Sequence, residues 1–182
     1  MKRTVNTWVC GVIAACLVFA VEADACTRAV YIGPDQTILT GRTMDFSIEI
    51  PANLWVFPRG MERSGQVGQR SFKWTSRYGS ILASSWDIAT TDGMNERGLV
   101  ANLLWLVQSE YPEFDVEGNK EGMTIAAWAQ YALDSFATVV EAVDSLRKEE
   151  FVVVTDFIPG TSMTGSCQEA ERAVGLFVIL GE

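Results

Sequence analysis

The sequence predicts an α+β domain in which strands come first and helices then pack on the sheet that they form. Between residues 27 and 106, short β-branched and aromatic segments alternate with turn signals. Two segments of helical periodicity follow, at residues 123–136 and 138–148. The 182 residues are 48% hydrophobic and 20% charged, which is the size and composition of one globular domain.

Most of the first half is predicted to be strands, beginning with a hairpin. Its turn is the signal Gly33-Pro34-Asp35. The segment Asp92-Gly93-Met94-Asn95 is predicted to be a second turn, and the long apolar run after it a strand buried on both faces. The predicted strands are residues 27–32, 36–42, 53–58, 72–75, 80–85 and 98–106.

The predicted helices have an apolar face and a start signal. Thr138 and Glu141 form a capping box, which begins the second helix. Residues 151–155 are predicted to be a strand, whereas residues 169–180 fit either a short helix or a strand. The face of the first helix is Ile125, Trp128, Ala129, Ala132 and Leu133, and that of the second is Val139, Val143 and Leu146.

Residues 1–25 have the pattern of a secretory signal peptide. Lys2 and Arg3 precede an apolar run over residues 8–21, and Ala23-Asp24-Ala25 fits the small-x-small rule for cleavage before Cys26. The alternatives are a membrane anchor, for which the run is shorter than about 20 residues, and lipoprotein processing. Cleavage would make the mature protein periplasmic or secreted, with no membrane attachment.

Charge and composition exclude several function classes. The net charge of −9 disfavours binding to nucleic acids. The chain contains no His, which excludes a Ser-His-Asp triad or a Cys-His dyad within it. The four Cys are not spaced as CxxC pairs, so no metal site is expected. Cys26 and Cys167 remain after cleavage and could be a free thiol pair or one disulfide.

An N-terminal Cys26 would need no His. Its thiol attacks a carbonyl carbon, and its own α-amine, with a pKa of about 7.7–8.0, accepts the thiol proton. Arg42 and Asp45 end the second hairpin strand and return beside Cys26. Arg42 would favour the thiolate and Asp45 would orient the α-ammonium, although an ordinary surface ion pair fits the same spacing. The chemistry requires no cofactor.

Three motifs resemble the choloylglycine hydrolase family, which belongs to the N-terminal nucleophile hydrolases. The motifs are Ala25-Cys26-Thr27-Arg28-Ala29-Val30, Gly41-Arg42-Thr43-Met44-Asp45 and Asp92-Gly93-Met94-Asn95-Glu96-Arg97-Gly98-Leu99. The resemblance covers about residues 26–160. It implies part of a four-layer αββα sandwich, with Cys26 as nucleophile, Arg42 and Asp45 beside it, and the backbone N–H of Trp105 at the oxyanion. Trp105 fits a core aromatic equally well, and Asn95 fits a turn role better than a catalytic one.

The resemblance implies hydrolysis of linear C–N amide bonds through an acyl-enzyme. The substrates would be small N-acylated compounds, namely penicillin V, N-acyl homoserine lactones or conjugated bile acids, and full-length relatives would be homo-oligomers. Trp55, Phe57, Trp86 and Trp105 could line an acyl pocket, although packing in the core explains them equally well.

The end of the chain departs from the family pattern. Family members continue further and supply a later Asn to the oxyanion hole and a later Arg to the catalytic cluster, whereas residues 161–182 form a non-matching tail. A frameshift, a truncation or a fragment would explain this, and we expect weak activity or none. Two alternatives follow: a non-catalytic exported remnant, and a structural domain with Cys26 bonded to Cys167.

Overall fold

The computed structural model describes residues 26–35, 37–45, 49–105, 109–155 and 174–180. The predicted signal peptide lies outside the described residues, as does most of the predicted tail. The α-helices are α1 Ile125–Ser135 and α2 Val139–Leu146. The strands are β1 Arg28–Ile32, β2 Ile38–Arg42, β3 Ala52–Phe57, β4 Glu62–Ser64, β5 Lys73–Thr75, β6 Ser80–Ser85, β7 Ala89–Asn95, β8 Leu99–Trp105, β9 Glu121–Thr124, β10 Phe151–Val154 and β11 Val174–Leu180.

A five-stranded antiparallel sheet is the largest element of the fold. Its strand order is β11-β8-β7-β6-β3, in which β6, β7 and β8 are consecutive and are joined by short connections. Three smaller pairs lie outside it. They are the antiparallel hairpin β1–β2, the antiparallel pair β4–β5 and the parallel pair β9–β10, whose connection contains both helices.

Helix α1 packs on one face of this sheet and forms the core with it. Nine of its eleven residues are buried, because the small side chains of its alanines let the helix approach the strands closely. Within the described ranges no helix has both the length and the apolar character needed to cross a membrane. The core cluster comprises Leu99, Ala101, Leu103, Met123, Ala127, Ala129, Tyr131, Ala132, Leu133, Phe136 and Ala142.

Tyr131 joins the helix to the smaller strand pairs through aromatic contacts. Its ring meets those of Phe72, Trp74, Phe136 and Phe151 edge-on, with centroid separations of 5.3–5.4 Å. Such edge-to-face pairs are favoured by the quadrupole of the rings. The cluster therefore fixes β5 and β10 against α1.

Local sequence signals predicted several elements correctly. The β1–β2 hairpin, β3, β6, β8, α1 and β10 all form where the sequence places them, within a few residues. The cap of α2 is also confirmed, since Thr138 Oγ1 accepts from the Glu141 amide at 3.2 Å. On the predicted inner face of α2, Val139 and Leu146 pack against the core, whereas Val143 is 36% exposed.

The turn predicted at residues 92–95 is wrong, because these residues belong to β7. Asp92, Gly93 and Met94 pair with β6 on one side and β8 on the other. The actual turn follows Asn95, whose Oδ1 accepts from the amides of Arg97 and Leu99. The turn role predicted for Asn95 is thus confirmed one position later than expected. Strands β4 and β9 carried no signal that predicted them.

The two faces of the five-stranded sheet differ in what covers them. The face that contains Leu82 and Gly93 lies under α1. The opposite face carries an apolar row that we call the open face, defined by Leu54, Val56, Ile81 and Met94, which are 77%, 74%, 46% and 47% exposed. Exposure of this kind is unusual for neighbouring large apolar residues.

Candidate active site

The candidate site begins where the chain enters the β1–β2 hairpin. Cys26 is half-buried, lies two residues before β1 and forms no disulfide with any described residue. In the hairpin register Arg28 is opposite Arg42. The pairing continues outward, because the Thr43 amide donates to the Thr27 carbonyl at 2.9 Å. The segment that begins at Cys26 therefore runs beside the segment that contains Arg42 and Asp45.

Thr43 connects the start of this hairpin to Asp45. Its hydroxyl accepts from the Thr27 amide at 3.1 Å and donates to Asp45 Oδ2 at 2.8 Å. Because one hydroxyl makes both bonds, the Asp45 carboxylate is held next to the residue that follows Cys26. Asp45 itself is exposed and so keeps acceptor capacity for a further donor.

The Arg42 side chain connects the hairpin to the five-stranded sheet. Its side chain is only 9% exposed, and its Nε lies 3.2 Å from Asp92 Oδ2. One terminal nitrogen also donates to the Leu103 carbonyl of β8. The guanidinium is thus bound by two adjacent strands, which places its charge between the hairpin and the sheet.

Asp92 is held in turn by Asn102 from the neighbouring strand. These two residues are direct cross-strand partners, and the Asn102 amide donates to Asp92 Oδ1. Burial raises the pKa of Asp92, and the charge of Arg42, the bond from Asn102 and the charge of Arg28 oppose that shift. Burial likewise lowers the pKa of Arg28, which Asp92 counteracts. The site therefore contains ionisable groups whose charged forms are disfavoured by burial.

Trp105 is the last residue of β8 and pairs with Val174 of β11. It lies two residues beyond Leu103, which accepts from Arg42, so its backbone is near the described cluster. The role of its N–H at an oxyanion stays a prediction.

The aromatic residues considered for an acyl pocket do not all lie with this cluster. Trp55 is in the same cross-strand row as Leu82 and Gly93, on the α1 side of the sheet, whereas Asp92 belongs to the opposite face. Trp55 and Phe57 line a cavity of about 380 Å³ together with Gln130 of α1. These two aromatic residues therefore lie across the sheet from Arg42.

Sequence reasoning brought Cys26, Arg42 and Asp45 to one hairpin but missed three residues that hold them. Thr43 carries no signal of its own, because a threonine directly after a predicted strand needs no special explanation. The sequence pattern predicts a turn at Asp92 and its neighbours, and it places Asn102 within an apolar strand. The available signal was Asn102, a polar residue inside a run predicted to be a strand buried on both faces, because buried polar groups need partners.

Comparisons with known proteins identify the family of this chain. The family described as linear amide C-N hydrolases, choloylglycine hydrolase family, matches residues 26–165. A penicillin V acylase from Pectobacterium atrosepticum is 50% identical over 143 residues, which cover 75% of this chain and 38% of that protein. A solved structure, that of penicillin V acylase from Agrobacterium tumefaciens, is 51% identical with a TM-score of 0.70, and the match covers 83% of this chain and 42% of the other.

A more distant structure has the same fold. A variant of the conjugated bile acid hydrolase from Clostridium perfringens is 18% identical, with a TM-score of 0.65, over 86% of this chain and 45% of that one. The chain thus spans about two fifths of the length of the relatives that it matches.

Proposed function

The chain belongs to the choloylglycine hydrolase family, and from this premise we propose that it contributes the nucleophile to an exported hydrolase of linear C–N amide bonds. The nucleophile is Cys26, freed at its α-amine when residues 1–25 are removed. The mature protein is then periplasmic or secreted. The candidate substrates are penicillin V, N-acyl homoserine lactones and conjugated bile acids, and the 50% identity to a penicillin V acylase favours penicillin V as the first to test.

One observation carries the proposal: the double hydrogen bond of Thr43. It joins the residue after Cys26 to the Asp45 carboxylate, which supports Asp45 as the acceptor for a new α-ammonium. Arg42 on the same hairpin supplies the positive charge that favours a thiolate. These contacts support a separate chemical role for Cys26, Arg42 and Asp45.

The proposed reaction has two steps. The Cys26 thiol gives its proton to the α-amine and attacks the amide carbon as a thiolate, and the resulting oxyanion accepts from backbone N–H groups, for which Trp105 is the candidate. Collapse breaks the C–N bond, the amine product leaves with that proton, and a thioester remains. Water then attacks the thioester, giving the carboxylic acid and regenerating the thiol.

The full fold we propose is a four-layer αββα sandwich, in which a second sheet that includes the β1–β2 hairpin covers the open face. The exposure of Leu54 and Val56 supports this, because large apolar residues on a sheet face are normally packed against a second layer. The substrate site would lie between the two sheets, where Arg42 already bridges the hairpin and β8. We also propose that the full-length protein forms homo-oligomers.

A second candidate is a non-catalytic exported protein. In this case Cys26 would be a free thiol without a catalytic role or would form a disulfide with Cys167. The two candidates differ in whether Cys26 becomes acylated.

The test combines mass spectrometry of the exported protein with hydrolysis of penicillin V. We expect the mature chain to begin at Cys26, to form a covalent phenoxyacetyl adduct at that residue, and to lose the adduct in the Cys26→Ala variant. Cys167→Ser is the matched control and should leave the adduct unchanged. A mature chain that begins elsewhere, or one that begins at Cys26 but forms no adduct, would contradict the proposal and favour the non-catalytic candidate.

A further inference from the structure

The orientation of the Arg42 guanidinium is restricted because two strands contact it at different nitrogens. Asp92 on β7 lies 3.2 Å from Nε as an ion pair, and the Leu103 carbonyl on β8 accepts a hydrogen bond from a terminal nitrogen. Nε itself forms no hydrogen bond with any described residue, so the Asp92 contact acts through charge and distance. A guanidinium is planar and its donors form a rigid fork, so a hydrogen bond at one nitrogen and an ion pair at another limit how it can turn.

Asp92 can hold this orientation because its own position is fixed. Asn102 is 3% exposed and donates to Asp92 Oδ1, which leaves Oδ2 for Arg42. The other side-chain atom of Asn102, Oδ1, is buried and has no hydrogen-bond partner among the described residues. Asn102 therefore contributes to this cluster as a donor to Asp92.

A carboxylate at this position costs free energy of folding, because its charge is partly removed from water, and a purely structural role would not require it. Asp92 is half-buried, and burial works against its charged form. Replacing a buried ion pair by apolar residues is often neutral or stabilising, so stability alone does not explain the pair. Charged groups kept in such surroundings are frequent at functional sites.

Arg42 lies on the side of the hairpin where Cys26 is expected. Arg28 is opposite Arg42, and alternate residues of an extended strand share a face. The pairing continues through Thr27 and Thr43, so Cys26, two residues before Arg28, is on the same face as both arginines. The orientation of the Arg42 guanidinium then determines how close its charge lies to the Cys26 thiol.

We propose that Asp92 is a positioning residue for Cys26: supported by Asn102, it orients Arg42 so that the guanidinium charge stabilises the thiolate. This inference rests on the proposed function, in which Cys26 is the nucleophile. In the described part of the chain, the charged groups of the hairpin segments beside Cys26 are Arg28 on β1, Arg42 on β2 and Asp45 after β2, and Asp92 on β7 pairs with Arg42.

The sign of one substitution separates positioning from simple electrostatics. A nearby carboxylate disfavours a thiolate, so removing Asp92 would make Cys26 easier to alkylate at low pH if the carboxylate acted only through its charge. If Asp92 instead positions Arg42, its removal lets the guanidinium move away and moves alkylation of Cys26 to higher pH. The two accounts therefore predict opposite shifts.

The experiment measures the rate at which iodoacetamide alkylates Cys26 as a function of pH. The full chain is used, and peptide mass spectrometry reads the label at Cys26 alone. We expect Arg42→Ala to raise the midpoint by about one pH unit or more, and Asp92→Ala to raise it in the same direction by a smaller amount. The double variant should shift no further than Arg42→Ala.

Two further variants test the same role: Asn102→Ala changes no charge, and Asp92→Asn changes little side-chain volume. Asn102→Ala alters no charge, so an upward shift can only reflect the loss of support for Asp92. Asp92→Asn keeps the side-chain volume and serves if Asp92→Ala does not fold, as judged by circular dichroism. Asp87→Ala is the matched control, since this exposed carboxylate bonds to Asn53, Trp55 and Ser84 instead of Arg42.

The outcomes distinguish failure of this inference from failure of the proposed function. A midpoint that falls or stays constant in Asp92→Ala, while Arg42→Ala raises it, overturns the positioning role only. A midpoint unaffected by Arg42→Ala overturns the role of Arg42 as well. Equal shifts in Asp92→Ala and Asp87→Ala would also contradict the inference, because the effect would then be non-specific.

Discussion

Leu133 of α1 lies so close to Gly93 of β7 that a Cβ built on the glycine would be 2.6 Å from Leu133 Cδ1. The same Cβ would be 3.0 Å from the Ile81 carbonyl oxygen. The glycine therefore allows the helix to rest directly on the sheet. This close approach explains why β7 contains Gly93, although a glycine in this sequence context predicts a turn.

The Gly93→Ala variant should be destabilised by this contact. The added methyl group must displace Leu133 or the β6 backbone, and overpacking of this kind costs about 1–3 kcal/mol. Urea denaturation followed by circular dichroism measures the loss. Gly41→Ala is the matched control, because nothing lies within 4 Å of its Cβ position, and it should change the free energy of unfolding by less than about 0.5 kcal/mol. Equal effects at both glycines would refute the packing explanation.

Asn95→Ala should be among the most destabilising single substitutions in the sheet. The Asn95 amide donates to the carbonyls of Leu133 and Phe136 at 2.8 Å, and its Oδ1 accepts from Arg97 and Leu99. Removing the side chain leaves buried groups unpaired, which costs on the order of 3 kcal/mol or more.

The free energy of unfolding from urea titration checks the Asn95 prediction. Asn53→Ala is its control, because Asn53 is exposed and its amide bonds only to the exposed carboxylate of Asp87. The control should cost no more than about 0.5 kcal/mol. An Asn95→Ala variant as stable as this control would show that the four hydrogen bonds contribute little.

Stability should depend on pH through Asp134. This carboxylate is fully buried, and burial raises its pKa against the bonds from Trp74 and Gln130 and the charge of Arg63. A raised pKa in the folded state means that protonation favours folding. The contribution is therefore complete below the unfolded-state pKa and is lost as pH rises through the folded-state pKa.

The measurement compares the wild-type chain with Asp134→Asn between about pH 4 and pH 7. We expect the free energy of unfolding of the wild type, relative to the variant, to fall as pH rises through this interval. The variant differs by a constant amount from its altered hydrogen bonds with Trp74 and Gln130, so only the slope is diagnostic. A relative stability that rises with pH would contradict the assignment.

The open face should make the 182-residue chain prone to association. Leu54 and Val56 are about three-quarters exposed, and neighbouring apolar residues enlarge the patch. Leu54→Lys and Val56→Lys should reduce light scattering and the fluorescence of a bound apolar dye without lowering stability. Leu82→Lys is the contrasting variant, since Leu82 is 2% exposed on the other face and should unfold the chain when charged. Unchanged scattering in the first two variants would show that another surface associates.

Sequence reasoning succeeded where the determining interactions are local. The β1–β2 hairpin follows from two β-branched segments around Gly33-Pro34-Asp35, and the start of α2 follows from Thr138 and Glu141. The family was also identified correctly from short motifs. The position of Arg42 beside the start of the hairpin needed only the hairpin register.

It failed where contacts between distant segments decide the conformation. Asp92, Gly93 and Asn95 are residues that favour turns, yet packing under Leu133 and pairing with β6 and β8 keep them extended. The ion pair of Arg42 with Asp92 joins the hairpin to a strand far along the sequence, and no local pattern specifies such a pairing.

The anchoring of Arg42 also sets an order of events during synthesis. Its backbone acceptor, the Leu103 carbonyl, is 61 residues further along the chain. The hairpin can close early, because its two strands are adjacent, but the guanidinium has no carboxylate or carbonyl to bind until β7 and β8 have left the ribosome. The ion pair between Arg42 and Asp92 is therefore completed late. During synthesis the β1–β2 hairpin exists before the two strands that bind its arginine.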